Sequence, residues 1–146
     1  RQRSNTQIPT EAENIEILLG ATILSPGGIN VSLGFQGNDY GIRASVGKKD
    51  DLKGIQLNFC RSLIKQKYFE SNFSLGMGYT TEYVDRKSYF YWDNEQKYHQ
   101  SILYLGMFLN IHVSVLFAEI GWTTNVVGVD PAPHFRYQFG CVYIFK

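Results

Sequence analysis

Residues 54–60 read Gly54-Ile55-Gln56-Leu57-Asn58-Phe59-Cys60, with an apolar side chain at every second position and a small or polar one between. Successive side chains of an extended chain point to opposite faces, so a period of two describes a strand with one greasy face and one polar face. The same pattern recurs on both sides of this stretch. Upstream, Tyr40, Ile42, Ala44 and Val46 alternate with Gly41, Arg43, Ser45 and Gly47, and Val31, Leu33 and Phe35 alternate with Asn30, Ser32, Gly34 and Gln36. Before them Ile15, Ile17, Leu19, Ala21 and Ile23 share a face opposite Asn14, Glu16, Gly20 and Thr22, with Leu18 out of pattern. Downstream, Phe69, Phe73, Leu75, Met77 and Tyr79 oppose Glu70, Asn72, Ser74, Gly76 and Gly78; Leu103, Leu105, Met107 and Leu109 oppose Tyr104, Gly106, Phe108 and Asn110. A seventh segment, Val113 to Thr124, is apolar on both faces in part. Placing Leu116, Ala118, Ile120 and Trp122 outward turns Glu119 inward. The eighth sets Phe135, Tyr137, Phe139, Tyr143 and Phe145 against Arg136, Gln138 and Gly140.

The connectors between these segments alternate in length. Gly37-Asn38-Asp39, Lys65-Gln66-Lys67 and Asn110-Ile111-His112 read as short turns on one side. On the other side lie the Ser25-Pro26-Gly27-Gly28 turn, a charged loop from Lys48 to Lys53, a long connector from Val84 to Gln100, and a loop from Asn125 to Pro133. Pro131 and Pro133 bar continued pairing in the last of these. An even number of amphipathic strands with short turns at one end and longer loops at the other predicts an all-β, eight-stranded antiparallel up-and-down transmembrane barrel, with an extended hairpin of strands five and six. The expected organisation is a flexible tail over 1–13 and a barrel over 14–146. The chain's ends and the short turns then face the periplasm, and the loops at Pro26, Asp50, Trp92 and Gly128 face outward.

Composition fits this reading. The 146 residues allow one domain. Hydrophobic residues make up 44% and charged residues 18%, below the roughly 25% charge of an average soluble domain. Mean hydropathy is nevertheless −0.20, as half-polar strands require, and there is no apolar run of membrane-helix length. A formal net charge of +1 supplies no field for nucleic acid, so no nucleic-acid partner is expected. Arg1 to Glu13 contains no apolar export segment, and the chain is expected to be a mature form. Cys60 and Cys141 fall on segments four and eight, which are not neighbours, so two free thiols are expected.

A soluble ligand carrier of the lipocalin kind shares the period with the faces exchanged. Two features favour the membrane. The polar face is rich in Gly, Ser and Asn, with only Glu16, Arg43, Arg61, Glu70, Glu119 and Arg136 as charges within segments. Aromatics gather at segment ends (Tyr40, Phe69, Tyr79, Tyr83, Trp122, Tyr143, Phe145), as interface girdles do.

In this layout, and in the closing run Phe135-Arg136-Tyr137-Gln138-Phe139-Gly140-Cys141-Val142-Tyr143-Ile144-Phe145, the chain resembles the small eight-stranded bacterial outer-membrane barrels of the OmpX and OmpA-transmembrane-domain type. The alternating aromatics ending in Phe are similar to the assembly signal of that class, although Lys146 follows here. The resemblance implies the outer membrane as location, outer-membrane lipid and lipopolysaccharide as surroundings, and a larger outer-membrane complex as a conceivable partner.

The residues that could carry function are of two kinds. Glu16, Arg43, Glu70, Glu119 and Arg136 project into a lumen only wide enough for side chains, as an interior charge network that plugs it or, if partners switch, gates it. Tyr89, Phe90, Tyr91, Trp92 and Tyr98 form an aromatic-rich loop around Asp93-Asn94-Glu95, a candidate partner contact. His112-Val113-Ser114 has the His-x-Ser spacing of lipid A deacylases, but a periplasmic position is far from that lipid's leaflet. His99 and His134 show no metal spacing. The expected protein is therefore not an enzyme and needs no cofactor. It is a surface-binding or integrity barrel, or an accessory subunit of a larger complex. A lipid A-modifying barrel enzyme and a soluble carrier are the alternatives.

Overall fold

A computed structural model describes residues 15–85, 97–128 and 133–145. They form eight strands: β1 (Glu16–Leu24), β2 (Gly28–Gln36), β3 (Tyr40–Lys49), β4 (Leu52–Lys65), β5 (Phe69–Asp85), β6 (Lys97–Val113), β7 (Leu116–Val127) and β8 (His134–Phe145). Each pairs antiparallel with its sequence neighbours. The barrel closes through β1 and β8, from Ile17 opposite Phe145 to Leu24 opposite Gln138.

Strand lengths are uneven. β1 and β2 have 9 residues, about what a tilted strand needs to cross a bilayer's hydrocarbon, whereas β5 and β6 have 17 each. These two stay in register to Asp85 opposite Lys97 and form the expected extended ribbon. The barrel therefore has a ribbon end and a base, the latter holding both ends of the strand order.

The alternation of apolar residues sorts as the sequence indicates. Ile17, Leu33, Phe59, Leu75, Leu105 and Tyr137 point out from the wall and stay exposed, while Ser32, Gln56, Asn58, Asn110 and Gln138 are buried inside. Leu18, the residue out of pattern, joins Phe117 and Val142 in an apolar cluster inside the base. A register shift between Ser62 and Ile64 in β4 turns Leu63 and Ile64 both outward.

Three connectors differ from expectation. The charged stretch Lys48 to Lys53 is a hairpin, not a loop: Lys48 pairs with Lys53 and Lys49 with Leu52 around Asp50-Asp51. Asn110-Ile111-His112 is no turn, because β6 continues to Val113 and the chain reverses at Ser114-Val115, with Ser114 at a φ of 58°. Within Ser25–Gly28, Pro26, Gly27 and Gly28 are buried rather than reaching outward. A Cβ on Gly54 would lie 2.4 Å from the Pro26 carbonyl oxygen, so the small residue there lets this turn lean into the barrel mouth.

Candidate functional site: the polar lumen and its mouth

All five charged residues expected inside the barrel stand on inward positions, but they do not form one cluster. At mid-height Arg43 on β3 donates from Nη2 to Glu119 Oε2 on β7, across the lumen, and also to Asn110 Oδ1 at 3.0 Å. Its guanidinium also lies 4.5 Å from the centre of the Phe117 ring. Glu119 accepts two more hydrogen bonds, from Gln56 Nε2 and Asn58 Nδ2, both at 2.8 Å. Burial of an ion pair needs this kind of saturation, since each lone pair left dry costs desolvation energy.

From this centre the network climbs to the ribbon end. Tyr104 donates its hydroxyl to Gln56 Oε1 at 2.9 Å, and the Arg136 guanidinium lies 3.8 Å from the centre of the Tyr104 ring. Arg136 is thereby tied to Glu119 through Tyr104 and Gln56. Glu16 and Glu70 belong to the base instead. Glu16 pairs with Lys65 at 3.0 Å, and Glu70 accepts from Asn72 Nδ2 at 3.0 Å. Three of the five charges therefore share one connected network and two do not.

The lumen is filled. Phe108 and Tyr104 lie wholly inside, against the glycines of neighbouring strands: a Cβ on Gly121 would meet Phe108 Cδ1 at 2.1 Å, and one on Gly78 would meet the Tyr104 ring at 2.2 Å. Leu18, Phe117 and Val142 pack together in an apolar cluster inside the base. His112, expected at an interfacial turn, is instead buried inside with its ring 4.9 Å from that of Phe117. Ser114 stands two residues on, exposed in the β6–β7 turn where the positive φ ends the strand's alternation, whereas His112 is buried inside. Among the described residues no group of three or more His, Cys, Asp or Glu could hold a metal ion.

The outer wall has the opposite character. Its exposed residues are mostly aliphatic or aromatic, with Tyr79, Trp122 and Phe135 towards the ribbon end and Tyr40, Tyr68, Tyr143 and Phe145 towards the base. Trp122 and Phe135 approach to 5.5 Å, and Tyr40 stacks on Phe59 at 5.8 Å. A soluble carrier would place its apolar residues inside, so the soluble alternative is excluded by this polarity. The chain has the architecture of the small eight-stranded outer-membrane barrels. No family model and no curated protein matches the sequence. Among solved structures, the chain is similar to the Yersinia pestis outer membrane protein Ail in a phospholipid bilayer nanodisc, with 15% identity and a TM-score of 0.42 over 92% of this chain and 100% of that one. A crystal structure of the same attachment invasion locus protein gives 12% identity and a TM-score of 0.40, covering 91% and 97%. No residue role is carried over from either.

Cys60 and Cys141 are both free; Cys60 is inside the lumen and Cys141 is on the outer wall. Of the expected partner loop, residues 89–92 lie outside the described residues, and Tyr98 stands on β6 opposite Val84. The sequence did not reveal Tyr104 as the link between mouth and centre. Its only trace was an aromatic at an inward position, which the register sets opposite Gly78.

Proposed function

We propose that this protein is a non-catalytic barrel of the bacterial outer membrane that acts through its surfaces and not through its lumen. The observation that carries the reading is the inversion of polarity: an apolar wall all round a closed sheet, enclosing a polar interior already filled by its own side chains. Such a wall is stable only when lipid or another apolar surface covers it. In this reading the base and both termini face the periplasm, lipopolysaccharide surrounds the outer leaflet, and the β5–β6 ribbon with Tyr89, Phe90, Tyr91, Trp92 and Tyr98 makes contacts outside the cell. Glu16, Arg43, Glu70, Glu119 and Arg136 serve as filling and not as a gate.

Membrane fractionation with heat-shifted gel mobility tests the placement. The folded barrel is expected in the outer-membrane fraction, migrating faster before boiling than after. A chain that stays dispersed without detergent overturns it.

A second reading, an accessory subunit beside a larger barrel, is favoured by a shallow groove of about 720 Å³ in the wall of β6, β7, β8 and β1. Its floor is made of the small outward residues Ala21, Ala118 and Cys141. Purification in mild detergent should then recover a companion protein, and Ala118→Trp should release it.

A further inference from the structure

Arg136 differs from Arg43 in one respect that matters chemically. Arg43 is neutralised by Glu119, whereas Arg136 has no carboxylate within ion-pair distance among the described residues. Its Nε is buried, and the Nε–H donates to no partner among the described residues. The Tyr104 ring covers one face of the guanidinium and not its edge, where the Nη donors lie; stacked arginine of this kind recognises oxyanions by its fork of parallel donors. Tyr104 is itself held by Gln56, so the guanidinium is positioned before any ligand arrives.

Beside it, at the ribbon end, lies a cavity of about 280 Å³ whose described lining is Gln100, Ile102, Asn125, His134, Phe135 and Arg136. Amide and imidazole groups from β6, β7 and β8 thus line a cavity beside a cation that has no carboxylate partner among the described residues. A lining of polar side chains from three strands suits an acceptor with oxygens on several sides more than a flat carboxylate.

We propose that this cavity binds a tetrahedral oxyanion of the phosphate type, with Arg136 as its charged anchor and Tyr104 as the platform that sets the guanidinium plane. The site stands whichever end of the barrel faces the cell exterior, so it can hold or fail separately from the reading above. The anion is either free phosphate or the phosphoryl group of a glycolipid, which carry the same chemistry.

The test is a titration of the folded, detergent-solubilised full chain with inorganic phosphate, followed by the Arg136 Nε–H resonance. Saturable movement of that signal is expected at millimolar phosphate or below. Arg136→Met should abolish saturable phosphate binding measured by calorimetry. Arg136→Lys, which keeps the charge but loses the fork, should weaken it about tenfold. Tyr104→Leu should weaken it several-fold, and Arg61→Gln, on the outer wall, should leave it unchanged. Heat-shifted mobility establishes that each variant is folded; if Arg136→Met does not fold, the Lys and Tyr104 variants decide. Phosphate binding that resists competition by vesicles of phosphorylated lipopolysaccharide assigns the site to the free anion, and competition by those vesicles that is lost when they are dephosphorylated assigns it to the glycolipid. Absence of saturable binding, or binding of equal strength in Arg136→Lys, Tyr104→Leu and the parent, overturns the proposal.

Discussion

Removing Glu119 should damage the barrel more than removing Arg43, although the two form a single ion pair. Glu119 accepts from three donors, Arg43, Gln56 and Asn58, whereas Arg43 keeps Asn110 and the Phe117 face when its carboxylate is gone. Breaking a buried pair by deleting one partner costs about 3–5 kcal/mol. Arg43→Met leaves a carboxylate that still holds two amide donors, each charge-assisted bond being worth about 1.5–3 kcal/mol, so its cost should fall at or below the lower end. Glu119→Leu strands a guanidinium and removes an acceptor from two buried amides, so its cost should reach the upper end. The double variant removes both charges and leaves Asn58 Nδ2 and Asn110 Oδ1 short of a partner, at about 1–3 kcal/mol each, while Gln56 Nε2 keeps its bond to Asn58 Oδ1. It should therefore be more stable than Glu119→Leu alone. Urea unfolding in lipid vesicles, read by tryptophan fluorescence and heat-shifted mobility, measures all four proteins. If the two single changes add within about 0.5 kcal/mol, the sites are independent and the account of the lumen as one coupled network fails.

Two further outcomes follow from the wall. Leu75 stands mid-way along the outward apolar run of β5 from Phe69 to Tyr79, so Leu75→Arg should cost about 2–4 kcal/mol in lipid, while Val127→Arg at the ribbon end of β7 should cost about 0–1; equal costs in urea titrations would show that this wall is not lipid-facing. In vesicle-reconstituted protein, Cys141 should react with an apolar, membrane-partitioning thiol reagent and not with a charged one, and Cys60 should react with neither until the barrel is unfolded; mass spectrometry of the labelled chain reads both sites.

The faces of the strands were legible because a period of two leaves little choice: at Ile55 to Cys60 or Phe135 to Phe139, a slip of one residue would put every apolar group inside. Turn chemistry was less legible, for a reason rooted in the same alternation. Asn110 and His112 flank Ile111 and imitate a polar turn, yet they are two consecutive inward residues of a continuing strand whose outward residue is Ile111. Lys48, Lys49 and Lys53 imitate a loop because a strand that rises past the hydrocarbon no longer needs a greasy face. The pairing of charges inside the lumen was out of reach. Which inward residues meet across a barrel depends on strand stagger, and Arg43 and Glu119 are 76 positions apart. The sequence could nominate the inward charges. Only closure shows that Arg136 reaches Glu119 through Tyr104 and Gln56, while Glu16 turns to Lys65.

That division of the lumen also decides what a gate would require. Exchanging partners among Arg43, Glu119 and Gln56 rearranges the middle of the barrel, but below it Leu18, Phe117 and Val142 pack in an apolar cluster that carries no charge to switch. Apolar side chains in contact exclude water whatever the network above them does, so an ion path needs that cluster removed. Glu119→Gln should accordingly leave planar-bilayer conductance at leak level. The double change Leu18→Ala, Phe117→Ala deletes most of that cluster, and the void opens onto the buried His112 and the polar groups above it, which favour water entry. Conductance should first appear in that variant. A current in Glu119→Gln with the base intact would mean that the charged layer is the barrier, and would restore the gate as a function of this protein.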